Sequence, residues 1–413
     1  MLLSRVTLPD GSCADVRLDD TQVTAVAEAG TLGCDPEEER IELDGYTLMG
    51  AFAEPHAHLD KAYTAELVAN PGGELFGAVK AWRSHRETLT VEDVITRARR
   101  AALAALTRGT TAIRTHVDVG AGLETRAVDA LVALREELRG LVDLQLVVMS
   151  QPLVGPDSEA PRARLRRALE LGADIIGGVP AGECDPFAAV AYCLALADEL
   201  GVAVDLHMDE HTGDGVALAE LARLSRATAP GLITASHCVS LGMRPPAIQA
   251  EVAAAVAAAN VGVVCCPATN LYLQGRGVQT ATPRGLTALA ALREAGATVA
   301  GGGDNIQDPF NPLGCGDALE VAQLLVLAGH LTPAAAYELV SVGARAVMGL
   351  PPTGVHPGAP AELVAIRAGS LREAIAARSE QRIVIRGGRV LVRTDVHRGA
   401  VADIGARLRT DRG

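Results

Sequence analysis

The stretch TLMGAFAEPHAHLDK (residues 47–61) decides the reading of this chain. An apolar run leads directly into two histidines one residue apart, in a sequence with ten histidines in all. A short apolar run closing on polar residues predicts a buried strand whose far end opens onto a site. Side chains alternate across a strand, so His56 and His58 face the same way. Seven further segments repeat the pattern: GTTAIRTHVDV (109–119), VDLQLVVMSQ (142–151), ADIIGGVP (173–180), VAVDLHMDE (202–210), GLITASHC (231–238), VGVVCCPATN (261–270) and ATVAGGGDN (297–305). Between them lie Ala/Leu-rich stretches with helical character: VEDVITRARRAALAALTRG (91–109), ARLRRALELG (163–172), AVAYCLALADELG (189–201) and GLTALAALREAG (285–296). Several close on glycine, the usual residue after a helix end. Eight strands alternating with helices predict a (β/α)8 TIM barrel. A doubly wound sheet is the alternative, but AGGGDN comes late and does not match the G-x-G-x-x-G phosphate loop.

The two ends of the chain read differently. SRVTLPDGSCADVRL (4–18) has a Pro-Asp-Gly turn between two strand-like segments, and QRIVIRGGRVL (381–391) has a Gly-Gly hairpin turn. The division expected is a discontinuous β domain from residues 1–50 and 350–400, a (β/α)8 barrel over 51–349, and a loose tail at 401–413.

With 413 residues, 49% hydrophobic and 21% charged, the chain can fill a barrel of about 250 residues plus a smaller domain. Aromatics make up only 2%, so Ala, Val, Leu and Gly must build the core. A net charge of −13 argues against a nucleic-acid partner. The basic run RARLRRALE (162–170) reads as a solvated helix face. The apolar stretch at 252–268 is shorter than the roughly 20 residues that a membrane span needs, and it contains Asn260, Gly262 and Pro267. Helix followed by strand is the expectation there, and no membrane partner. The eight cysteines (13, 34, 184, 193, 238, 265, 266 and 315) form no C-x-x-C motif, and the N-terminus has no apolar signal region. Reduced thiols in a cytoplasmic protein are therefore expected.

In a barrel of this kind the site lies at the C-terminal ends of the strands. Polar residues collect there: His56, His58, His116, Asp118, Gln151, His207, Asp209, Glu210, His237, Asn270, Asp304 and Asn305. His56, His58, His207 and Asp304 form a nitrogen and oxygen donor set that suits one divalent ion, Zn²⁺ or Fe²⁺. Such an ion makes hydroxide available near neutral pH. His237 and Asp304 are the candidates to take the proton from water, and Glu210 the candidate to protonate the substrate.

EPHAHLDK, RTHVDV, HMDE, SHCVSL, NLYLQGR and GGDNIQDPFNPLG, in that order, resemble the amidohydrolase superfamily and, within it, the cytosine deaminase-like group. The resemblance covers most of the chain. It implies a distorted (β/α)8 barrel carrying one metal ion, with a small β-sandwich made from both termini, and often a homo-oligomer. It implies that a small heterocyclic substrate exchanges an exocyclic amine for a carbonyl with release of ammonia. It also implies that Gln151 binds the amide-like edge of the ring and that Asn270 and Gln274 line the pocket. The fourth strand has no lysine, unlike binuclear relatives, which favours a single ion.

Two residues depart from the cytosine deaminase pattern. Asn305 stands where an acid follows the last ligand, and Lys61 closes HLDK, which resembles the branch of the N-alkylammelide amidohydrolases. They keep a second reading open, cleavage of an N-substituted amine or cyclic amide at the same site; a silent binding protein is a third. Lys61 is expected either to face the substrate or to pair with Asp60 or another acid at the rim. His116 and Asp118 are expected beneath the site, Asp209 in a structural role, and Trp82 on a helix over the mouth. His211 has two readings, substrate contact or rim.

Overall fold

The computed structural model describes residues 1–33, 36–225, 231–397 and 399. The segment read as a loose tail, 401–413, lies outside them, as does Cys34.

Three short strands open the chain: β1 (Leu2–Thr7), β2 (Cys13–Leu18) and β3 (Val23–Glu28). Next come β4 (Arg40–Glu42) and β5 (Tyr46–Gly50). Eight strands then follow: β6 (Phe52–Ala57), β7 (Thr110–Asp118), β8 (Asp143–Met149), β9 (Ile175–Gly178), β10 (Ala203–Met208), β11 (Ile233–His237), β12 (Gly262–Cys265) and β13 (Val299–Gly301). The chain returns with β14 (Glu362–Arg367), β15 (Arg382–Arg386) and β16 (Arg389–Arg393).

β6 to β13 pair in sequence order, every pair parallel. A single parallel bridge between Ala57 and Asp304 brings the last strand back to the first, leaving a nearly closed TIM barrel. All eight segments read as strands contribute a strand to it, but the first is divided: Tyr46–Gly50 joins the sheet of the two termini as β5, and only Phe52–Ala57 enters the barrel as β6. Nearly every residue of these strands is buried, because helices cover the outside and side chains fill the inside.

The helices show how a chain poor in aromatics packs. Residues Val91–Thr107 start at Thr90, whose hydroxyl accepts from the Asp93 N–H, and bury Val94, Ala98, Ala101, Ala102 and Ala105 along one stripe. Small side chains let helix and sheet approach closely. Pro186–Leu200 begins with Asp185 accepting from two backbone N–H groups and ends at Gly201 in the left-handed conformation, φ 67°. The stretch 252–268 divides as read, into the helix Pro246–Ala258 and β12.

One helix is shorter than its sequence suggests. GLTALAALREAG forms a helix only over Leu289–Glu294. Gly285 takes φ +66°, and a side chain there would meet Gln274 at 2.7 Å. The segment is held against the loop after β12, and that contact overrides helix propensity. On Glu159–Glu170, Arg164 and Arg166 pair across the surface with Glu124 and Glu199, and Arg167 pairs with Glu170, so the basic run is a neutralised outer face.

The strands from the two termini make a second, mixed sheet in the order β16-β15-β14-β5-β1-β2-β3, with β4 beside β1. Leu3, Val6, Val16, Leu48, Leu363 and Ile385 share its apolar core. Gly387 and Gly388, at φ 57° and 66°, form the two-residue turn between β15 and β16.

Candidate active site

The polar strand ends converge. His58 Nε2 lies 3.1 Å from His207 Nε2 and 3.4 Å from Asp304 Oδ1; His56 Nε2 lies 3.6 Å from the same oxygen. All four side chains are buried. Among the described residues, His56 Nε2 and both Asp304 oxygens have no hydrogen-bond partner. Buried polar atoms without partners are costly, and several aimed at one point need a shared partner. Ligands about 2.0–2.1 Å from a tetrahedral ion stand roughly 3.3 Å apart, close to the spacing found here. A divalent ion fits this donor set. One nitrogen of His116 also lies within 4.8 Å of nitrogens of His56 and His207, and the His116 ring sits 3.9 Å from the His56 ring.

The orientation of His56 is set from below. Its Nδ1 lies 2.7 Å from Ser236 Oγ, Ser236 Oγ donates to Asp205 Oδ1 at 3.2 Å, and Asp205 Oδ2 accepts from Arg114 Nη1 at 2.8 Å. This relay puts a proton on Nδ1 and turns the Nε2 lone pair into the cluster. Burial, then neighbouring positive groups, hold His56, His58 and His207 well below the usual histidine range, so all three imidazoles are neutral and able to ligate.

Beside this cluster stand Glu210 and His237, a buried carboxyl and imidazole in close approach. Glu210 Oε1 accepts from Asn270 Nδ2 at 3.1 Å and lies 3.5 Å from His237 Nδ1. Asn270 Nδ2 is 3.2 Å from that same ring nitrogen, so one amide holds both groups. Gln274 adds a bond to the Glu210 carbonyl at 3.1 Å. Burial pushes the Glu210 carboxyl up to about 8 and the His237 imidazole down to about 4. His237 (φ 70°) and Asp304 (φ 64°) both take the left-handed backbone conformation, which is strained for residues other than glycine. Both strained positions close barrel strands at the cluster.

The remaining residues singled out from the sequence lie around this centre. Asn305 Nδ2 donates to Asp308 Oδ2 at 2.7 Å. Gln151 is engaged at both ends: its Nε2 donates to the Val179 carbonyl and its Oε1 accepts from Arg83 Nη2, each at 3.0 Å. Lys61 is buried, 3.2 Å from Asp60 Oδ2, 3.1 Å from Asp118 Oδ2 and 3.3 Å from His58 Nδ1. Trp82, on the helix Leu75–His85, is buried; its Nε1 donates to Asp118 at 2.7 Å and its ring lies 5.3 Å from Lys61 Nζ. Asp209 accepts from Ala217 and Leu218 N–H, both at 2.9 Å, and caps the next helix. The His211 ring turns toward the rim and accepts from the Gly213 N–H.

Several contributors escaped the sequence reading. Glu54 accepts from the His56 N–H at 3.0 Å and from the Gly303 N–H at 2.8 Å, joining β6 to the chain beyond β13. Arg114, Asp205 and Ser236 form the layer that orients His56. Asp308 accepts from Asn305 and from the Phe310 and Asn311 N–H groups. The signal was the two-residue period: Glu54, Arg114 and Asp205 each stand two positions before a histidine on the same inward face.

A barrel with this buried His/Asp cluster, and a carboxyl poised beside it, defines a class of hydrolases. Residues 156–392 match the sequence model of the Amidohydrolase family. The chain belongs to that family, in its cytosine deaminase-like group, and is a hydrolase of C–N bonds outside peptides. It is similar to a pterin deaminase of Rhizobium rhizogenes (strain K84 / ATCC BAA-868), 32% identical over 389 residues, covering 92% of this chain and 88% of the relative. An N-isopropylammelide isopropyl amidohydrolase of Pseudomonas sp. (strain ADP) is 27% identical over 383 residues, covering 87% and 89%. The crystal structure of 5-methylcytosine deaminase from Klebsiella pneumoniae liganded with 5-fluorocytosine superposes with a TM-score of 0.88 at 28% identity, covering 97% of this chain and 99% of that one. Among the described residues, no helix is long and apolar enough to cross a membrane.

Proposed function

We propose that this chain is a mononuclear metal-dependent deaminase that replaces the exocyclic amine of a nitrogen heterocycle with a carbonyl, consuming water and releasing ammonia. The observation that carries this reading is the juxtaposition of the four-donor cluster with the Glu210–His237 pair, 3.5 Å apart and both buried. Three relatives named for pterin, 5-methylcytosine and N-isopropylammelide support the substrate class. These rings share an sp² carbon bearing an amine next to a ring nitrogen.

His56, His58, His207 and Asp304 would hold the ion, and their nitrogen and oxygen donors suit Zn²⁺ or Fe²⁺. Bound there, such an ion lowers the pKa of a coordinated water toward neutrality. His237, kept neutral by burial, receives the proton that water gives up. Glu210 donates its proton to the ring nitrogen beside the attacked carbon, takes up the proton of the hydroxyl added to that carbon, passes it to the departing amine, and regains its own proton from His237, 3.5 Å away. Asn270 fixes both proton carriers through one amide. Asn305 and Gln274 would border the bound ring, and Gln151 would meet its amide-like edge.

A second reading, release of an alkylamine from an N-substituted ring, is favoured by the HLDK lysine and by the N-isopropylammelide relative. One experiment separates them: amine release by metal-replete protein from amino-pyrimidines, amino-triazines, pterins and their N-alkyl forms, with Glu210→Gln as control. Ammonia from one ring type, lost in the variant, supports the deaminase. Alkylamine alone moves the assignment to the second reading. Neither product, with one ion per chain in place, sinks both.

A further inference from the structure

A thiol stands inside the cluster without a role in this chemistry. Cys266 follows β12 directly, and β12 lies between β11, which ends at His237, and β13, which leads to Asp304. One donor atom from each of His56, His237, Cys266 and Asp304 lies within 4.8 Å of the other three, and all four side chains are buried. Among the described residues, His56 Nε2, His237 Nε2 and both Asp304 oxygens have no hydrogen-bond partner, so the thiol shares its surroundings with open donors.

This set overlaps the first without duplicating it. His56 and Asp304 belong to both; His58 and His207 belong only to one, His237 and Cys266 only to the other. Because Nδ1 of His56 is taken by Ser236, its Nε2 can serve one ion at a time. The two sets are therefore alternatives. They also differ in chemistry: the first offers nitrogen and oxygen, the second adds a soft sulfur that selects thiophilic ions.

We propose that His56, His237, Cys266 and Asp304 form a second, mutually exclusive metal position that captures thiophilic divalent ions such as Cd²⁺ and inactivates the enzyme by occupying His237. It rests on the reading of His56 and Asp304 as ligands. Capture exchanges the S–H bond of Cys266 for an S–metal bond and releases one proton to solvent, with no change of oxidation state. An ion placed there withdraws the group that receives the proton from water, so loss of turnover follows from position alone.

The test is metal titration of the metal-free protein with Cd²⁺, after alkylation of the exposed Cys13 and Cys184. The wild type is expected to bind one ion per chain, release a proton and show cadmium–thiolate charge-transfer absorption. Cys266→Ala and Cys266→Ser, checked for native circular dichroism, are expected to bind Cd²⁺ without that absorption. His58→Ala, which damages only the nitrogen and oxygen set, is expected to keep it. Cd²⁺ bound by wild type without the absorption, or absorption surviving in both Cys266 variants, overturns the inference and leaves the proposed function standing. A protein that binds no divalent ion overturns both.

Discussion

The backbone N–H of Asp304 donates to the carbonyl of His56 at 2.8 Å, so the first and last barrel strands meet at two candidate ligands of one ion. Glu54 sits at the same seam and ties the His56 and Gly303 amides together. Ligand geometry and barrel closure are thus one structural problem, solved over a few residues.

The seam should carry a pH signature. Burial raises the Glu54 carboxyl from 4.5 to about 8. The unfolded chain therefore loses this proton near 4.5, whereas the folded protein keeps it until about 8. Between those values the folded state binds more protons, and its stability falls as pH rises. Glu54→Gln removes the titration. Urea unfolding of metal-free wild type and variant should diverge across this window, by at most about 5 kcal/mol, with wild type losing ground at higher pH. Parallel curves would show that Glu54 is not held neutral.

Glu210→Gln should keep the fold and the ion but lose chemistry. The amide can still accept from Asn270, yet it cannot give up a proton. A fall in kcat of roughly 10²–10⁴-fold is expected, with metal content unchanged. Equal loss of metal and activity would place Glu210 among the ligands instead.

Lys61 separates its two roles by which quantity moves. In the structure it neutralises Asp60 and Asp118, with only 3% of its side chain exposed. Lys61→Gln strands the buried carboxylate of Asp60 and the partly buried one of Asp118, and should lower stability by about 3–5 kcal/mol in chemical unfolding. Unchanged stability with a raised KM would instead assign the lysine to the substrate.

Ser236→Ala breaks the relay from Arg114 and Asp205 to His56 without touching a candidate ligand. Metal affinity should fall about 10–100-fold by competition with a chelator, and activity should return when excess ion is added. Affinity equal to wild type would mean that packing alone aims the imidazole.

The eight strands and the polar residues at their ends were legible because both signals are local. An apolar run and the residue that closes it can be read without knowing any partner. What supports the site was harder. Gln145, Asp205 and Thr234, on three different strands, all accept from Arg114, and no short window shows that they meet. Lys61 illustrates the limit: Asp60 is its neighbour in sequence, which makes that pair legible, while Asp118, equally close in space, is legible as a residue beneath the site but not as the partner of this lysine. The shortened helix before β13 has the same origin, since the contact near Gly285 comes from the loop around Gln274.

The sheet built from both termini sets the order in which the protein can be completed during synthesis. β5 pairs with β14, and Thr47 reaches the Ala368 carbonyl, 321 positions away. The β1–β2–β3 meander can form early because its turns are short. β5 must wait with its edge unpaired until nearly the whole polypeptide has emerged. Such long-range pairing slows folding and leaves an adhesive strand edge exposed in the interval. A nascent chain halted before β14 should therefore be prone to aggregate, with its first strands made and the partner of β5 missing.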